Sequence, residues 1–150
     1  MRKLIRNTNI SARENSEQFT DYRTNFDPDI GQWVKEYVDN GGIWYDILGP
    51  FETKRAELIS GALGEGNIQG KYEVRYYDLP RPFLNFIIFE YSDEYEAEEV
   101  LFGFGLHGRD EQPVFSSTAP EIVSEFKSLY ASLYNYCDSE PSPVPIECRK

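Results

Sequence analysis

Two runs decide how this chain folds: FLNFIIFEY (Phe83–Tyr91) and EEVLFGFGL (Glu98–Leu106). Each is rich in aromatic and β-branched residues, and the segment between them is acidic and turn-forming, so the pair reads as two adjacent strands, 83–91 and 99–106. Six acids fall within the ten residues Glu90–Glu99. Without the glycine-punctuated spacing of an ion-wrapping loop, that stretch reads as a solvated hairpin turn and not as a metal site.

Working outward, Lys71–Asp78 (KYEVRYYD) alternates as a strand and is broken by Leu79-Pro80-Arg81-Pro82. Phe51–Leu63 has helical spacing along Phe51, Arg55, Leu58, Ile59 and Ala62, and Gly42–Leu48 is a buried strand in type. Asp27-Pro28 is expected to open a helix, with Asp27 as N-cap. Ile30, Trp33, Val34, Tyr37 and Val38 then share one face, and Asn40-Gly41-Gly42 ends the helix. Met1–Ile10 is a first strand, expected at a sheet edge with Arg2, Lys3 and Arg6 solvated. On the C-terminal side, Val114–Ser116 forms a short strand. Thr118-Ala119-Pro120-Glu121 reads as a capping box, opening a helix with an apolar stripe from Ile122 to Tyr134. Tyr130, Tyr134 and Tyr136 on that helix suit either an interface or the core. The predicted order is β-α-β-α-β-β-β-β-α, an α/β domain over residues 1–136 with a mixed, mostly parallel sheet and helices on both faces. Residues 137–150 read as a Pro-rich flexible tail.

Composition bounds the function. With 150 residues, 40% hydrophobic and 15% aromatic, the chain can build a core without disulfide or metal. A net charge of −11 argues against binding nucleic acid or anionic membrane through this domain. No run reaches membrane-spanning length and none reads as a signal peptide, so a cytoplasmic setting with Cys137 and Cys148 reduced is expected.

The block from PFLNFIIFEY through VLFGFGLHGR to PVFSSTAPEIVSEFKSLYASLY resembles one half of a phospholipase D-like domain. In that family a strand carries H-x-K-x4-D, and a glycine-containing strand, a short strand and a closing helix follow. The resemblance spans residues 27–136. Phe83 stands where the nucleophilic His belongs, Asn85 replaces the Lys, and Glu90 keeps the character of the Asp. A phenyl ring cannot attack phosphorus, and a neutral amide supplies no charge to phosphoryl oxygens. The resemblance therefore implies a site without catalysis, no cofactor and no metal. Phe83, Asn85, Glu90, His107 and Arg109 become candidates for ligand binding, His107 being the chain's one histidine.

The leading expectation is a non-catalytic sensor or interaction domain of a bacterial regulatory or effector system. It would bind a small-molecule ligand or protein partner and pair as a homodimer, as halves of that family do. One alternative is an enzyme of altered chemistry, with Glu90, His107 and Arg109 as base, acid and anion clamp. The other is an acidic interaction protein or nucleic-acid mimic.

Overall fold

The structure, a computed structural model, describes residues 2–9, 29–49, 53–64, 71–77, 84–94, 96–104 and 114–138. The chain runs β1 (Arg2–Asn9), α1 (Ile30–Asp39), β2 (Ile43–Leu48), α2 (Thr53–Leu63) and β3 (Tyr72–Tyr76). It continues with β4 (Leu84–Tyr91), β5 (Glu99–Phe104), β6 (Phe115–Ser117) and α3 (Pro120–Tyr136). This is the order expected from the sequence.

The six strands form one sheet in the order β3-β2-β1-β4-β5-β6. Pairings β1–β2 and β2–β3 are parallel, whereas β1–β4, β4–β5 and β5–β6 are antiparallel. The sheet is mixed, as expected, but not mostly parallel. The turn at 92–98 is too short for a parallel crossover, which needs about a dozen residues, so β4 and β5 must be antiparallel. A second correction concerns β1. It lies between β2 and β4, not at an edge. Its Ile5 and Thr8 are buried on opposite faces, which a central strand requires and an edge strand does not.

Residues paired across strands share a face. One face carries Trp44, Asp46 and Leu48 and is covered by α1 and α2, with Ile30, Val34, Val38, Ile59 and Tyr72 buried together. The other carries Ile47, Phe86, Ile88 and Val100 and is covered by α3 through Val123, Tyr130 and Leu133. The fold passes the expected boundary at 136, because Cys137 is buried in this second core and Asp138 pairs with Tyr76. The remainder of the expected tail lies outside the described residues.

Local expectations met tertiary packing with mixed results. Gly41, at φ +91°, ends α1 as expected, in a conformation that side chains resist. Gly31 lets α1 approach α2 closely, since an added Cβ would lie 2.6 Å from the Leu58 carbonyl oxygen. Trp33, expected on the buried face of α1, is 56% exposed, because burial runs along Ile30, Val34 and Val38 and leaves Trp33 on the flank. Ile122 and Leu129 are likewise exposed beside the narrower buried stripe of α3. The N-caps also move. Helix α1 is capped at Asp29, and Asp27 lies outside the described residues. Helix α3 is capped at Ala119 with no side-chain bond, because Pro120 takes the first helical position and leaves Thr118 one residue too early. Ser117 Oγ instead accepts the Ala119 N–H at 3.2 Å. Among the described residues no helix is long and apolar enough to cross a membrane.

Candidate functional site

Of the five residues expected at a site, Asn85 and Glu90 are described, both on β4. Phe83, His107 and Arg109 lie outside the described residues. Asn85 and Glu90 are five apart in a strand whose pairing runs without a break from Leu84 to Glu90, so their side chains emerge on opposite faces. Glu90 is on the face covered by α3, and Asn85 shares the face of Asp46. The structure does not bring these two together.

Glu90 belongs to an ion cluster. It pairs with Arg6 of β1, and Lys127 of α3 reaches it at 3.4 Å while bonding Glu98 at 2.8 Å. Leu4↔Glu90 pairing places β1 and β4 so that Arg6, two residues along β1, lies within reach. Two cations thus compensate a carboxylate that burial would otherwise penalise. Beside the cluster opens a cleft of about 540 Å³ between the β4–β5 turn and the start of α3. Asp93, Glu94, Glu96 and Glu98 line it, with Lys127 at one wall. Four acids against one lysine repel a phosphodiester and suit cationic groups. Among the described residues no group of His, Cys, Asp and Glu is arranged to hold a metal ion.

A second polar constellation escaped sequence reasoning. Asp46 of β2 is fully buried and receives four donors. Asn7 Nδ2 and Trp44 Nε1 donate to Oδ1 at 2.9 and 2.8 Å, and Arg55 Nε and Tyr72 OH donate to Oδ2 at 3.3 and 3.1 Å. Register explains the convergence, because Asn7 lies directly across from Asp46 on β1 and Tyr72 directly across from Trp44 on β3. Arg55 comes from α2, so one carboxylate ties three strands to a helix. A signal was present: a lone acid inside IWYDIL cannot be buried without donors. On the same strand pair that ends β1, Thr8 Oγ1 donates to the Phe86 carbonyl at 3.2 Å and accepts its N–H at 2.8 Å. The side chain thereby extends the β1–β4 pairing by one residue.

Burial, followed by the charge of Asp46, pushes the Tyr72 phenol far above its ordinary value of 10. Burial does the same to Tyr130, whose hydroxyl has no hydrogen-bond partner among the described residues. Tyr134 is raised less strongly, by burial and then by its hydrogen bond to Glu73, while Arg75 lies 4.0 Å over its ring. Above pH 10 the unfolded chain loses these protons and the native state keeps them, so stability declines as pH rises past about 10. Tyr72 and Tyr130, the two buried phenols, each contribute roughly 1.4 kcal/mol per pH unit there. Urea midpoints between pH 9 and 11 should fall less steeply for Tyr72→Phe than for the wild type.

These features define an α/β domain with a mixed six-stranded sheet, helices on both faces and two separate polar clusters. The same fold occurs in a solved archaeal chromatin protein, TrmBL2, whose structure is described as showing a novel mode of DNA binding. The likeness has a TM-score of 0.56 at 16% identity and covers 93% of this chain and 45% of that one. This chain therefore spans less than half the length of that protein. No protein-family model matches the chain, and a search of curated proteins gives no match.

Proposed function

We propose that this chain is a non-catalytic sensor or interaction domain of a regulatory system, built on a degenerate phospholipase D-like half. The observation that carries this reading is the chemistry of β4. Where the family's motif has a Lys this strand presents the neutral Asn85, and its Glu90 is engaged by Arg6 and Lys127. A neutral amide supplies no charge to a phosphoryl oxygen, and a carboxylate held by two cations is a poor base. The acidic cleft beside Glu90 supports the same reading, since it disfavours the anionic substrate of that family.

The likeness to a DNA-binding chromatin protein is consistent with a regulatory setting. The −11 charge argues against nucleic-acid contact through this domain. The proposed role is recognition of a small molecule or a protein, in a homodimer. Ile122, Leu129 and Tyr136 supply exposed apolar area on α3 at intervals of seven residues.

Native mass spectrometry of the purified chain should show a dimer at micromolar concentration, and fluorescence anisotropy should show no binding to duplex DNA at physiological salt. Hydrolysis of a phosphate diester by the pure protein would overturn the reading.

A further inference from the structure

The outer flank of α3 differs in charge from the other helices. Residues 128–136 (SLYASLYNY) contain no Asp, Glu, Lys or Arg, in a chain of which 27% is charged. The exposed sides of the other helices carry acids, Glu36 and Asp39 on α1 and Glu57 on α2. Five exposed residues of α3, Ile122, Glu125, Leu129, Ser132 and Tyr136, follow one another at steps of three, four, three and four. That spacing sets them in one row, as along the seam between two packed helices. Ile122, Leu129 and Tyr136 make the row largely apolar. Apolar surface continues from it onto the sheet. Phe126, on the next row of α3, stacks on Phe102 at 5.0 Å, and Phe102 stacks on the exposed Phe115 of β6 at 5.6 Å.

We propose that a second copy of the chain docks on this row, α3 against α3 and antiparallel, about a two-fold axis at Leu129. The inference rests on the reading of the chain as a homodimer and gives that dimer its surface. Charge selects the occupant. A basic protein would need acids along the row, and a nucleic acid or an anionic membrane would need cations. A second copy shares the net charge of −11, so it can approach closely only where the touching surfaces carry few acids. Charge also selects the direction. The exposed acids of α3, Glu121 and Glu125, lie toward its N-terminal end. A parallel pair would set each against its own copy, whereas an antiparallel pair sends them to opposite ends of the contact. Ile122 and Tyr136 stand seven residues either side of Leu129, so each meets the other across the axis. Glu125 stands four residues before Leu129 and Ser132 three after it. At about 1.5 Å of rise per residue, the carboxylate comes nearly level with a hydroxyl of the other copy that can donate to it. A standard interface covers about 800 Å² on each partner, more than one row on a 17-residue helix supplies, so a micromolar Kd is expected.

Sedimentation equilibrium of the full chain at low salt, over micromolar concentrations, tests surface and direction together. Leu129→Glu should weaken association about a hundredfold, because one substitution changes both sides of the axis and each central contact is worth about tenfold. Leu129 is exposed, so this variant should unfold in urea close to the wild-type midpoint. Ser132→Lys should tighten the dimer about fivefold, by setting a cation level with Glu125 of the other copy at two symmetric places. In a parallel dimer the same two lysines would face each other and weaken it. Trp33→Glu, at an exposed apolar position on α1 across the sheet, should leave association unchanged. A dimer indifferent to Leu129→Glu, not tightened by Ser132→Lys, or weakened as much by Trp33→Glu would overturn this surface while the homodimer itself stands. A chain that stays monomeric at every concentration would overturn both and leave the row to a different protein.

Discussion

Alanine at Asp46 should lower stability by about 3–5 kcal/mol, the usual cost of removing one partner from a buried charged network. The side chain is fully buried and accepts from Asn7, Trp44, Arg55 and Tyr72. Its loss removes the acceptor that three neutral donors and an arginine share at a buried position. Each orphaned donor carries its own desolvation cost of about 1–3 kcal/mol, partly relieved by relaxation. Asp46→Asn keeps the shape but presents an amide N–H to donors, so it should recover little. In urea, both variants should shift the midpoint to lower concentration with an unchanged slope. A second measurement separates network from packing. If Tyr72 acts through Asp46, Tyr72→Phe should cost markedly less in the Asp46→Ala background than in the wild type. A cost for Asp46→Ala within experimental error would show that the carboxylate does not hold β1, β2, β3 and α2 together.

Phe86→Ala is expected to cost roughly 3–5 kcal/mol, from lost transfer energy and the cavity left behind. Phe86 is 2% exposed at the centre of the core under α3. Its ring meets Phe126 at 5.0 Å and Tyr130 at 6.3 Å, both edge-on, and Phe102, its cross-strand partner, stacks on Phe126. The backbone bonds from Thr8 to Phe86 survive the substitution, so the loss reports packing alone. Phe86→Leu should cost clearly less, because a large apolar side chain is retained and the cavity is smaller. Near-UV circular dichroism should lose intensity in Phe86→Ala as the aromatic cluster loosens. If Phe86→Ala and Phe86→Leu unfolded at the same urea midpoint, the cluster would not be anchoring α3.

The contrast between these residues shows what could be read in advance. Phe86 lies in a run whose strand character is evident from composition, and α3 shows its packing stripe directly. Asp46 sits in an equally legible strand, yet its partners come from 39 positions upstream, 26 downstream, and a helix. No local pattern joins Asn7, Arg55 and Tyr72. The same limit applies to Glu90, which reads as the surviving acid of a motif and is found paired with Arg6 and Lys127 from opposite ends of the chain. Its supposed neighbour Asn85 is excluded by parity, a fact available once the strand was known to be unbroken through both residues.

Local chemistry alone was sufficient for the element order, for the glycine that ends α1 and for the acidic hairpin turn, because each depends on interactions within a few residues. Strand order, the central place of β1, the exposure of Trp33 and the two charge clusters depend on segments far apart in the chain. Those are decided by which faces can be buried together, and only the assembled sheet makes that choice.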